Sequence, residues 1–135
     1  MFVVVALAAA AVSASAQTYK ADIPMAFHAG NKWMEPGAYD LVVTRSFSGA
    51  TSVLIRNQDS KDSTMLLPVA GSDAPKAWRA KAAPTISFGC TNRDCSLRQL
   101  WTAQSVSAYQ FLSPRHASAD RERMASVTLT LTRTE

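Results

Sequence analysis

Ser126-Val127-Thr128-Leu129-Thr130-Leu131-Thr132 alternates without a break between aliphatic side chains and hydroxylated ones. Side chains alternate across an extended chain with a period of two, so Val127, Leu129 and Leu131 share one face and the threonines share the other. Valine and threonine favour the pleated, half-buried surface of a sheet. A strand with one dry face must bury it against a second layer, so this stretch predicts a layered β domain. The period recurs upstream. Tyr19, Ala21, Ile23, Met25 and Phe27 are apolar while Lys20 and Asp22 face away, which predicts a strand over 19–27. Pro24 removes a ladder donor, placing that strand at an edge or at a bulge.

Turn chemistry divides the remainder. His28 to Lys32 forms one turn, Trp33-Met34 is a short apolar piece, and Glu35-Pro36-Gly37-Ala38 places Pro and Gly as a type II turn prefers. A strand follows from Tyr39 to Thr44, with Tyr39, Leu41 and Val43 on one face. Ser52 to Asn57 and Ser63 to Val69 flank the polar turn Gln58 to Asp62, and Thr85 to Cys90 and Cys95 to Thr102 flank Thr91 to Asp94. Two stretches depart from the pattern: Ser72 to Ala83 and Ser118 to Ala125 carry cap residues and helix formers and predict short helices or helical turns. The expectation is an all-β fold, an antiparallel sandwich or small barrel of about seven strands with one or two short helical turns.

The chain has 135 residues, 47% hydrophobic and 18% charged, with a net charge of +4, which suits one domain and neither a disordered nor a fibrous chain. Fourteen of the first sixteen residues are apolar, and this run closes on Ala14-Ser15-Ala16, the small residues that a signal peptidase reads. Residues 1–16 are therefore expected to be a signal peptide, and 17–135 a single secreted or periplasmic β domain. The run is shorter than the ~20 apolar residues that span a bilayer, so no transmembrane segment is expected.

Export sets the reading of the two cysteines. Cys90 and Cys95 are an isolated even pair, first of all a disulfide in an oxidising compartment. Their C-x4-C spacing departs from the C-x-x-C of a thioredoxin-like site, and no second Cys or His pair completes a zinc site.

Ile23-Pro24-Met25-Ala26-Phe27, then Gly30-Asn31-Lys32, Pro36-Gly37-Ala38-Tyr39-Asp40-Leu41, Leu54-Ile55-Arg56-Asn57, Phe88 and Leu100-Trp101-Thr102 occur in that order. In this the chain resembles a family of small secreted bacterial β-proteins of uncharacterised function. Its members read roughly I-P-F-x-F-x-x-G-x-K, P-A-G-x-Y-x-V, L-L-I-R-N and F-L-x-x-V-W-T. Glu35-Pro36-Gly37-Ala38 departs from the P-A-G order, and a cysteine-closed loop replaces the tyrosine-bearing turn after Phe88. The resemblance implies export and an all-β domain; it carries no activity, ligand or catalytic residue.

Each candidate site has a plainer reading beside it. Met25, His28 and Met34 form a soft and imidazole donor set of the kind that suits copper, but on a strand Met25 and His28 point to opposite faces. A core methionine and a turn histidine describe them better, and His116, beside Pro114 and Arg115, reads as a solvated surface residue. There is no G-x-S-x-G elbow, no phosphate loop and no preferred pair of carboxylates, and an enzyme of unrecognised type would need a pocket joining His28 or His116 to acids. The turn from Asn57 to Asp62 begins with alternating oxygen side chains, yet Lys61 stands where a calcium loop needs a ligand. Arg115, Arg121 and Arg123 are interleaved with Asp120 and Glu122, a self-paired face and no nucleic-acid stripe. Trp33, Trp78 and Trp101 could stack on sugars if exposed; a core or loop-anchoring role is the plainer one. The expected function is a non-catalytic binding or structural module of the envelope, without cofactor, its partner an anionic envelope component or another envelope protein.

Overall fold

The structure is a computed structural model and describes residues 15–46, 48–91, 94–112 and 125–134. One sheet has the order β12-β1-β4-β5-β6, built from Thr132–Thr134, Ser15–Ile23, Gly37–Arg45, Thr51–Asn57 and Ser63–Leu66. The other has the order β11-β8-β9-β10-β7, built from Ala125–Thr130, Thr85–Thr91, Asp94–Trp101, Ser107–Gln110 and Ala70–Asp73. Neighbours in both orders are antiparallel. A small hairpin of β2 (Phe27–Ala29) and β3 (Lys32–Met34) joins the second sheet through one parallel pairing, His28 with Ser96. The sheets do not close into a barrel, so the sandwich alternative holds.

Alternation places the core as expected. Tyr19, Ala21 and Ile23 of β1 are buried beside Tyr39, Leu41 and Val43 of β4 and Val53 and Ile55 of β5, facing Ile86, Phe88, Leu97 and Leu100 of the second sheet. Phe27 ties the layers together. Its ring lies 5.3 Å from Tyr39 on one sheet and 5.3 Å from Phe88 on the other, edge to face in both cases.

Proline decides where strands change sheets. The strand expected over 19–27 is two: β1 stops at Ile23, and after Pro24 the chain crosses to the second sheet, where β2 begins at Phe27. The inward stripe survives the crossing, since Met25 packs on the core and Phe27 is fully buried. In the same way β6 ends at Leu66, short of the expected Val69, ahead of Pro68; the Val69 N–H then donates to the Gln110 carbonyl of the second sheet. The stretch 126–132 that announces the fold is also divided. β11 pairs with β8, β12 pairs with β1, and Leu131 between them is buried and donates its N–H to the Pro84 carbonyl. Strands that switch sheets at corners are one way a sandwich joins its layers.

Besides β3, formed where the sequence shows only a turn and a short apolar piece, two further strands lie beyond the sequence expectation. β7 and β10 pair with each other through Ala70-Gly71-Ser72-Asp73 and Ser107-Ala108-Tyr109-Gln110, residues that apart from Tyr109 have little strand preference and are held by tertiary pairing. The predicted helix over 72–83 is consequently shorter, α1 from Lys76 to Lys81, ending on Ala82 in the left-handed conformation. The helix expected over 118–125 lies outside the described residues, except that Ala125 begins β11. Cys90 and Cys95 stand directly opposite each other near the β8–β9 turn and form the expected disulfide.

Candidate functional site

The β2–β3 hairpin turns on Gly30-Asn31, with Gly30 at φ +61, the glycine-first arrangement of a tight II′ turn. A side chain at Gly30 would also meet Leu66 Cδ2 at 3.0 Å, so the turn lies close over the end of β6. Lys32 then reaches across to the β5–β6 turn, where its Nζ donates to Asp62 Oδ1 at 2.5 Å and to the Ser63 carbonyl at 2.9 Å. Both partners are solvent-exposed, so this contact contributes less than about 1 kcal/mol to stability; its effect is to hold two loops side by side.

The β5–β6 turn is built on Asn57, which is buried. Its Oδ1 accepts the N–H groups of Asp59 at 2.9 Å and Ser60 at 3.0 Å, an Asx turn, while its own N–H donates to the Asp62 carbonyl at 2.8 Å. The Lys61 N–H donates to the Asn57 carbonyl at 3.1 Å, and the turn closes only because Lys61 takes φ +63. For a residue with a Cβ this left-handed conformation costs about 1–2 kcal/mol. Across the ladder from Asn57 stands Tyr39, whose phenol donates to the Glu35 carbonyl and shares a hydrogen bond with the Asn57 side chain. Burial pushes the Tyr39 phenol above its usual titration range.

Between hairpin and turn lies a cleft of about 580 Å³ lined by Trp33, Glu35, Tyr39, Asn57, Ser60, Lys61 and Asp62. Tyr39 and Asn57 are buried and spent on internal hydrogen bonds, so they form its floor. Trp33, Glu35, Ser60, Lys61 and Asp62 are exposed and form its walls. Trp33 is 45% exposed and meets the His28 ring edge to face, with 4.5 Å between centroids. Formal charge balances: Lys32 offsets Asp62, leaving Glu35 and Lys61 of opposite sign.

The three tryptophans do not share a surface. Trp101 is buried with Ala74 and Ala108 under a half-buried Trp78 from α1, and its indole N–H donates to the Ser105 carbonyl at 2.7 Å. These two anchor the helix, as expected of large side chains in a small domain; Trp33 alone lines the cleft. The hairpin register sets Phe27 opposite Met34, both in the core, and His28 opposite Trp33 on the other face. Met34 and His28 are therefore turned apart, and Met25 packs on the core. Among the described residues no three His, Cys, Asp or Glu side chains gather as metal ligands. His116 and the arginines at 115, 121 and 123 lie outside the described residues. Of the oxygens in this turn, Asn57 Oδ1 is engaged by two backbone N–H groups and Asp62 by Lys32, and Lys61 stands in the alternating series after Asn57 and Asp59.

A second depression, about 170 Å³, is lined by Gln17, Val43, Arg45, Thr102, Gln104, Ser105 and Tyr109, and Gln17 donates to Gln104 across it at 2.8 Å. It presents no exposed aromatic ring. In the sequence, Asn57 to Asp62 shows a hairpin turn and Trp33-Met34 an apolar fragment. Their meeting leaves no trace there, since Lys32 and Asp62 are thirty residues apart and no periodicity links them. The one local sign was a lysine, with no glycine, closing a tight turn. No family model, curated protein or solved structure matches this chain.

Proposed function

We propose that this protein is an exported, non-catalytic β sandwich of the cell envelope that works by binding through the cleft between Trp33 and Lys61. The observation that carries the reading is Lys61 held at φ +63 on the wall of that cleft. Glycine would fill the turn without steric penalty, and strained backbone persists where the surrounding structure over-determines it, most often at binding surfaces. Three further features support it: the half-exposed Trp33, the disulfide suited to an oxidising compartment, and the leader-like residues 1–16. The likeness to small secreted bacterial β-proteins points the same way.

The test is fractionation of bacterial cells expressing the whole chain. The expected product begins at Gln17, carries the Cys90–Cys95 disulfide, lies outside the cytoplasm and sediments with isolated envelope. Trp33→Ala should release it from the envelope. An uncleaved cytoplasmic chain, or sedimentation indifferent to Trp33→Ala, would overturn the reading.

A further inference from the structure

We propose that the cleft takes an uncharged pyranose unit of an envelope or extracellular polysaccharide, a statement that rests on the cleft being the binding surface. The ring's C–H face would lie on the Trp33 indole, and its hydroxyls would bond to Glu35 and Lys61. Each ligand class needs something different from these walls. A polyanion needs a surplus of cations and a polycation a surplus of carboxylates, whereas Lys32, Lys61, Glu35 and Asp62 sum to zero. An apolar ligand needs apolar walls, and here a single aromatic ring faces five polar or charged side chains besides the Tyr39 phenol.

A sugar meets the set on both counts. Each hydroxyl donates and accepts, so it is served by neighbouring donors and acceptors together: the Lys61 ammonium, the Ser60 hydroxyl and the Glu35 carboxylate. Its C–H face is apolar and suits a flat indole that keeps a wet edge, as Trp33 does at 45% exposure. The floor is rigid before any ligand arrives, because Asn57 is locked by two backbone N–H groups and Tyr39 by the Glu35 carbonyl. Such preorganisation lowers the ordering entropy that weakens the binding of small polar ligands.

The experiment is a titration of the whole mature chain, labelled with nitrogen-15, following the indole N–H resonance of Trp33 identified by Trp33→Phe. The probes are an oligomer of N-acetylglucosamine, an oligomer of glucose, and an oligomer of galacturonate as the anionic control. At least one neutral oligomer should move the Trp33 resonance saturably, leave that of buried Trp101 in place, and act more strongly than galacturonate. Glu35→Gln and Lys61→Gly should each weaken the affinity roughly tenfold, with the thermal midpoint of Lys61→Gly not lowered, so that lost binding is not lost folding. No response to either neutral oligomer at millimolar concentration, or a response to galacturonate alone, overturns the assignment. If the same chain still sediments with envelope through Trp33, the sugar assignment alone has failed; if it does neither, the binding cleft has failed with it.

Discussion

Gly37 and Lys61 hold the two unusual backbone conformations behind the cleft, and they predict opposite effects. Gly37 sits at φ +155, and a side chain there would come within 3.1 Å of Asn57 Nδ2. Gly37→Ala should therefore lower stability by about 1–2 kcal/mol, read as a shift of the urea midpoint at constant slope. Lys61→Gly releases strain and should raise stability by up to about 1 kcal/mol in the same measurement. Burial raises both Tyr19 and Tyr39 above their usual value of 10.0, so the folded state keeps these protons longer than the unfolded chain does. Their contribution is whole below about pH 10 and lost as pH rises through 10 toward the folded-state values. Thermal midpoints followed from about pH 8 to about pH 11 should fall at the alkaline end, and Tyr39→Phe should flatten that fall.

Among the hairpins, β8–β9 is the most legible in the sequence and β2–β3 the least. Cys90 and Cys95 delimit a short loop, and their direct opposition follows from pairing Thr85–Thr91 with Asp94–Trp101. Chain entropy for so small a loop gives the bond about 2 kcal/mol, so Cys90→Ser with Cys95→Ser should cost that amount in urea unfolding and leave the fold intact. A cost near zero would mean that the hairpin register is set entirely by packing. The β2–β3 hairpin, by contrast, has three-residue strands too short to show a period. Pro24 was visible as a ladder break but not as the point where the chain leaves one sheet for the other, because the same missing donor serves an edge, a bulge or a crossing. For β7 and β10 the local signal is weak; Gly71 and Asp73 are poor strand residues recruited by their neighbours, and Tyr109 alone favours a strand.

At the scale of the molecule, the two sheets are joined by covalent corners and by one aromatic. The chain passes from β6 to β7 on one flank and from β11 to β12 on the other, so each outer strand of one sheet continues into an outer strand of the other. Continuity of this kind leaves less room at the edges for another chain to add. Phe27 is the internal counterpart, touching Tyr39 and Phe88 across the layers. Phe27→Ala should cost about 3–5 kcal/mol, a large part of the roughly 5–15 kcal/mol that holds a domain folded. Calorimetry should show one transition displaced to lower temperature; two separated transitions would show that the sheets are not one cooperative unit.

What the sequence determined by itself is the layered all-β class, the inward stripes and the disulfide, because a period of two and a cysteine spacing are local properties of the chain. The candidate site is only half legible: Trp33 and the turn at 57–62 each stand out in the sequence, but each with a plain structural role. Tertiary structure decided the choice of sandwich over barrel, the sheet to which each half of a broken strand belongs, and the meeting of Trp33, Glu35 and Lys61. Those are consequences of which edges find each other once the core closes, a long-range selection by burial that leaves no mark on neighbouring residues.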